Sequence, residues 1–156
     1  MSTRADALAT RFEQANNEII TLVEQLDEEQ WKKITAPEGW GVNVAAHHIA
    51  ASIPAVLGLV QMTANGQAPP VTMEQINQGN AQHATEFADA KKEETLALLR
   101  SGGDQGGAAL RGLSDEQLDR TASVIGQQMT VQQVIEIVLI AHPQQHGASI
   151  KAAAGI

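Results

Sequence analysis

Apolar residues recur with the period of a helix over most of the chain. Between Thr3 and Leu26, the residues Leu8, Phe12, Ile19, Leu22, Val23 and Leu26 share one face, predicting an amphipathic first helix. A second helix is predicted after Gly39-Trp40-Gly41, from about Asn43 to Ala64, with Asn43 as N-cap because its side chain can accept from first-turn amides. Asn65-Gly66 and Pro69-Pro70 stop it. A third helical region spans about Met73 to Leu113. Within it, the segment Ser101 to Gly107 resembles a linker, yet Leu96, Leu99, Gly103, Gly106, Leu110 and Leu113 keep alternating spacings of three and four through it. An interior glycine costs roughly 1 kcal/mol relative to alanine. A continuous, closely packed helix is expected there, with a break into two helices as the alternative. The fourth helix is predicted from near Thr130, again an N-cap residue type, to about Ala153. It is apolar on most sides between Val131 and Ile140, as a helix in the middle of a bundle would be. No strongly alternating segment predicts a strand, so the fold class is all-α.

A faint internal repeat organises these elements. Leu26-Asp-Glu-Glu-Gln-Trp31 follows the first helix and Leu113-Ser-Asp-Glu-Gln-Leu118 follows the third. Ser114 and Gln117 have capping-box spacing, so both segments are expected to form short helical turns. Each leads into a histidine-bearing helix. Two similar helix pairs would make a four-helix bundle with a long connection between helices two and three, and residues 1–156 are expected to form one such domain.

Composition then narrows the chemistry. A hydrophobic share of 43% is that of a folded chain. Cysteine is absent, which excludes disulfides, thiolate ligands and a cysteine nucleophile. A net charge of −8, with basic runs no longer than pairs, argues against nucleic-acid binding. No apolar run is expected to approach the roughly 20 residues of a membrane span, the longest candidate, Val134 to Ala141, being interrupted by Glu136, and the N-terminus does not read as a signal peptide. A cytoplasmic location is expected.

Five histidines remain as candidate chemistry: His47, His48, His83, His142 and His146. The last two are four apart in His-Pro-Gln-Gln-His, so on a helix both imidazoles point the same way, one turn apart, and can reach one ion. They continue the stripe of Val131, Val134 or Ile135, and Val138, which faces the core. Buried imidazoles need partners. Hydrogen bonds would serve, but a shared metal satisfies two at once. On the second helix, a 100° step per residue places His48 within the apolar arc, beside Ser52, Ala55 and Leu59, and turns His47 outward. His83 sits among polar neighbours with no inward argument. Pro143 removes a helix hydrogen bond and disfavours a helical His142, predicting a kink or bulge between the two histidines, or else a helix end. Three imidazoles would leave a coordination position open on Zn²⁺, Ni²⁺ or a similar ion, as a catalytic metal requires.

Trp40, then His48 eight residues on with an aliphatic residue after it, resembles the first motif of the DinB/YfiT-like family, and His142-x-x-x-His146 followed by a small residue and Ile150 resembles the second. The resemblance extends in order over nearly the whole chain. Pro143 and the glycine-rich third helix depart from it. It implies a four-helix bundle, often homodimeric, with a divalent metal held by His48, His142 and His146. Some members use a low-molecular-weight thiol, mycothiol or bacillithiol, for transfer or isomerisation. Others are described as hydrolases or DNA-damage-inducible proteins. The expected function is thus metal-dependent, thiol-using transferase or isomerase chemistry on a small electrophilic substrate. The alternatives are a metal-dependent hydrolase and a non-catalytic metal-binding dimer of stress response. The second histidine motif lacks the glutamate of His-Glu-x-x-His, so no general base is evident for water.

Overall fold

The computed structural model describes residues 2–156. In chain order it contains α1 (Thr3–Gln25), α2 (Glu28–Trp31), α3 (Val42–Ala64), α4 (Met73–Glu86), α5 (Lys92–Arg111), α6 (Asp115–Asp119), β1 (Thr121–Val124), β2 (Gln127–Thr130) and α7 (Val131–Val134). A π-helical stretch, Ile135–Ala141, then joins α7 to α8 (His142–Ala154) without a break. The four-helix bundle consists of α1, α3, α5 and the continuous α7–α8 rod. Its long connection between α3 and α5 carries α4.

The first helix forms as its pattern predicts. Ser2 caps it by accepting from the Ala5 amide at 3.1 Å, and Leu8, Phe12, Ile19, Leu22, Val23 and Leu26 are all buried. The repeated polar segments are indeed short capped helices. Asp27 with Gln30 and Ser114 with Gln117 each form a reciprocal capping box, which satisfies two otherwise orphaned amides. Thr130 caps α7 with Gln133 in the same way.

Asn43 does not cap α3. The helix begins one residue earlier, behind Gly41, and the Asn43 side-chain amide donates to the Ala88 carbonyl at 2.8 Å. That bond ties α3 to the loop between α4 and α5. The region from Met73 to Leu113 is two helices rather than one, divided at residues 87–91 and not at the glycines. Through Gly102, Gly103, Gly106 and Gly107 the helix α5 is continuous, lying against α1 on one side and α3 on another. A Cβ on Gly106 would overlap the Phe12 ring, with Cζ at 2.7 Å, and one on Gly102 would lie 2.8 Å from Ile53 Cδ1. The missing side chains are what let the backbones approach.

The all-α bundle forms as expected, but two details differ. One β-hairpin, absent from the sequence reading, pairs Thr121 with Thr130 and Val124 with Gln127. Its turn residues Ile125 and Gly126 have φ of 52° and 77°, the positive pair a tight primed turn requires. Four-residue strands whose turn lacks the usual Asn-Gly signal leave little trace in the sequence. Second, α3 is long and apolar enough to cross a membrane, and no charged residue occurs from Val42 to Ala64. Its first half, from Val42 to Ala50, is buried in the bundle, where α3 is a core helix.

Gly106→Ala should lower the melting temperature. The gain of roughly 1 kcal/mol in helix propensity is outweighed by about 1–3 kcal/mol of overpacking against a buried ring. Gly79→Ala, where an added Cβ meets nothing within 4 Å, should leave stability unchanged or raise it. Thermal unfolding of the two variants checks the sign of each.

Candidate metal centre

His48 lies in the first half of α3, where every residue from Val42 to Ala50 is buried. His142 and His146 lie on the first turns of α8. One ring nitrogen from each of the three comes within 4.8 Å of the others, and the Nε2 atoms of His142 and His146 are 3.0 Å apart. Tetrahedral coordination at about 2.0–2.1 Å per nitrogen would set donors roughly 3.3 Å apart, so the three imidazoles suit a zinc-like ion. His48 and His146 are buried, whereas His142 stands at the exposed edge.

The Pro143 irregularity is a change of helical period just before it. The His142 amide donates to Ile137, five residues back, and Pro143 falls in the first turn of α8. The missing amide thus coincides with the end of a π-helical stretch, a feature often found at functional sites. The rod does not end there, and His142 and His146 keep their common side.

A further residue joins them that the sequence reading did not select. Glu38 Oε1 is 3.1 Å from His146 Nδ1. A proton on Nδ1, donated to Glu38, leaves Nε2 with its lone pair toward His142 and His48, the arrangement in which a carboxylate orients a metal-binding histidine. Glu38 Oε2 is buried with no hydrogen-bond partner. Burial pushes the Glu38 carboxyl up, but its own backbone amide and the Ser149 and His146 side chains outweigh that and hold it below the ordinary range. The loop that delivers it is closed by bonds from the Thr35 amide to the Trp40 carbonyl (2.7 Å) and from the Val42 amide to the Lys33 carbonyl (2.7 Å). Between Glu38 and Trp40, Gly39 takes a φ of 72°, which glycine adopts without strain. Trp40 then stacks on His146 at 5.9 Å and meets His48 edge-on at 5.2 Å. Glu38 lies 108 positions from its partner. Its only local signal is its place two residues before the motif tryptophan.

His47 is not outward in the sense of exposed. It is buried, and the end of α4 covers it. His47 Nδ1 is 2.8 Å from His83 Nε2, and His47 stacks on Phe87 at 4.2 Å. His83 also meets His48 edge-on at 5.6 Å. All five histidines therefore form one contiguous group. Burial and the surrounding imidazoles lower the His48 pKa to about 3, so at neutral pH it is an uncharged donor. His142 is lowered by burial and by His146, against an opposing pull from Glu38.

The DinB superfamily pattern matches residues 11–150. The chain belongs to the DinB superfamily. Its fold is similar to YfiT from Bacillus subtilis, described as a probable metal-dependent hydrolase with an unusual four-helix bundle topology. That likeness has a TM-score of 0.81 at 20% identity, over 99% of this chain and 89% of that one. It is also similar to the mycothiol-dependent maleylpyruvate isomerase, with a TM-score of 0.75 at 13% identity, covering 96% of this chain and 63% of the isomerase. No curated protein sequence matches the chain. At these identities the likeness is one of fold.

Glu38→Ala should weaken Zn²⁺ binding about 10- to 100-fold, the usual effect of removing such a carboxylate, as read by competition with a chromophoric chelator. For the metal-free protein, the histidine shifts set a direction with pH. A folded-state pKa depressed to about 3 for His48, against about 6.5 in the unfolded chain, means the unfolded state binds more protons between those values. Stability is then fully present above pH 6.5 and falls as pH drops toward 3. Urea unfolding at pH 7 and pH 5 checks this, and His48→Phe should flatten the difference.

Proposed function

We propose that the protein is a divalent-metal-dependent enzyme in which His48, His142 and His146 hold the ion and a low-molecular-weight thiol is the nucleophile toward a small electrophile. The observation that carries this reading is the convergence of three imidazole nitrogens within 4.8 Å, with a carboxylate behind one of them. A bound Zn²⁺ or Ni²⁺ would supply Lewis acidity, favouring the thiolate at neutral pH.

The chain's own residues account for the rest. Glu38 keeps the proton of His146 on Nδ1, so that Nε2 is the donor. Trp40 packs against two of the rings and excludes water from that side. His142, at the exposed edge, leaves an approach for a ligand. The thiol proton leaves to solvent along that approach; as sulfur bonds to the electrophilic carbon, either a leaving group departs with its bonding pair or the displaced π pair takes a proton back from solvent. Thiol chemistry is preferred to hydrolysis because the Glu38 carboxylate at the site has an oxygen committed to His146 and its other oxygen is buried. Water, with its much higher pKa, needs a base more than a thiol does.

Purified wild type should carry about one metal ion per chain by elemental analysis, and His48→Ala should carry little. The absorption bands of the Co²⁺-substituted protein should shift on adding a thiol. Turnover of an electrophilic substrate should then require that thiol. Stoichiometric metal retained by His48→Ala would sink the ligand assignment. A Co²⁺ spectrum indifferent to a panel of thiols, together with thiol-independent ester hydrolysis, would replace the transferase reading with the hydrolase.

A further inference from the structure

The three triad histidines are held in place by different means. His146 is fixed by its hydrogen bond to Glu38. His142 sits 3.0 Å from His146 on the same helix. His48 makes no hydrogen bond through either ring nitrogen among the described residues, although a metal-binding histidine usually has an outer partner. Its aim depends on packing, and two rings meet it edge-on from outside the triad, Trp40 at 5.2 Å and His83 at 5.6 Å.

His83 is a notable source for that contact. It belongs to α4, a helix of 14 residues of which none is buried. Such a helix has little apolar area to hold it on the bundle. Its C-terminal end is nevertheless docked. His83 hydrogen-bonds His47 at 2.8 Å, and both rings pack on Phe87. Asn43 holds the following loop at Ala88. Met73, at the other end, is 53% exposed. The docking of α4 therefore rests largely on the His47–His83–Phe87 cluster, and that same cluster sets the outer wall against His48.

We propose that His83 is a positioning residue for His48, so that the docking of α4 and the binding of metal at the triad are coupled. The inference rests on the reading of the triad as a metal site. With α4 docked, the His83 ring restricts His48 to the orientation in which its nitrogen faces His142 and His146. With α4 away, His48 has more orientations and the metal binds more weakly. Coupling is reciprocal, so metal at the triad tightens α4 by the same factor.

The test is Zn²⁺ affinity by chelator competition for wild type, His83→Ala, His83→Phe and Gln78→Ala, joined to hydrogen exchange of α4 with and without Zn²⁺. His83→Ala should weaken Zn²⁺ about tenfold or more, at the lower end of the effect of losing an outer partner, and should shift the Co²⁺ absorption bands. His83→Phe, which keeps a ring against His48, should recover most of the affinity, and Gln78→Ala on exposed α4 should be silent. Wild-type α4 amides near residues 79–87 should exchange more slowly when Zn²⁺ is bound, and His83→Ala should lose that protection. Wild-type Zn²⁺ affinity in His83→Ala would overturn the proposal, as would α4 exchange indifferent to Zn²⁺, a phenylalanine variant no better than alanine, or an equal loss in Gln78→Ala. Failure of the metal reading looks different: wild type itself would bind no Zn²⁺.

Discussion

Three imidazoles with nitrogens facing one another set the terms for the rest of this structure. Lone pairs so placed satisfy one another poorly, since a pair of neutral rings can share only one proton between facing nitrogens. Buried in an uncharged stretch of α3, His48 is kept neutral by the cost of placing a cation there and by the neighbouring imidazoles. The same arrangement that disfavours protons favours an ion with a vacant orbital for each nitrogen. Binding such an ion would offset the cost of burying the rings.

The scaffold delivers those rings by devices that are irregular in the usual sense. A π-helical stretch absorbs Pro143 and keeps His142 and His146 on one side of a continuous rod. A short closed loop places Glu38 behind His146 and Trp40 against two of the rings. Elsewhere in the bundle, glycines in α5 bring its backbone close to Phe12 of α1 and Ile53 of α3. Ion pairs such as Arg100–Glu24 (2.6 Å) lie at the exposed edges of this contact, where they contribute little. Close packing of the backbones, not surface charge, is what holds α5 in the bundle.

Much of this was legible in the residues. Helical periodicity marked α1, α3 and the α7–α8 rod, because each must bury a face and its apolar residues repeat with the turn of the helix. Capping residues marked the ends of the short helices, because first-turn amides need acceptors within reach along the chain. The spacing of three and four through Gly103 and Gly106 predicted an unbroken helix at a segment whose composition suggests a linker. His142 and His146 were legible as a pair for the same local reason, and His48 joined them through the phase of its helix and its distance from Trp40.

Contacts between distant segments were decided by tertiary structure alone. Helix phase turned His47 outward, but phase cannot say whether another helix covers that side. The end of α4 does, and a histidine expected in solvent became part of a buried cluster with His83 and Phe87. Glu38 meets His146 across 108 positions, with no periodicity to announce it, because loop residues are placed by how a loop closes and not by a repeating turn. The sequence therefore determined which residues could serve as ligands on each helix. Only the packing of α4 and the Glu38 loop against those helices decided what orients them, since that depends on which surfaces meet.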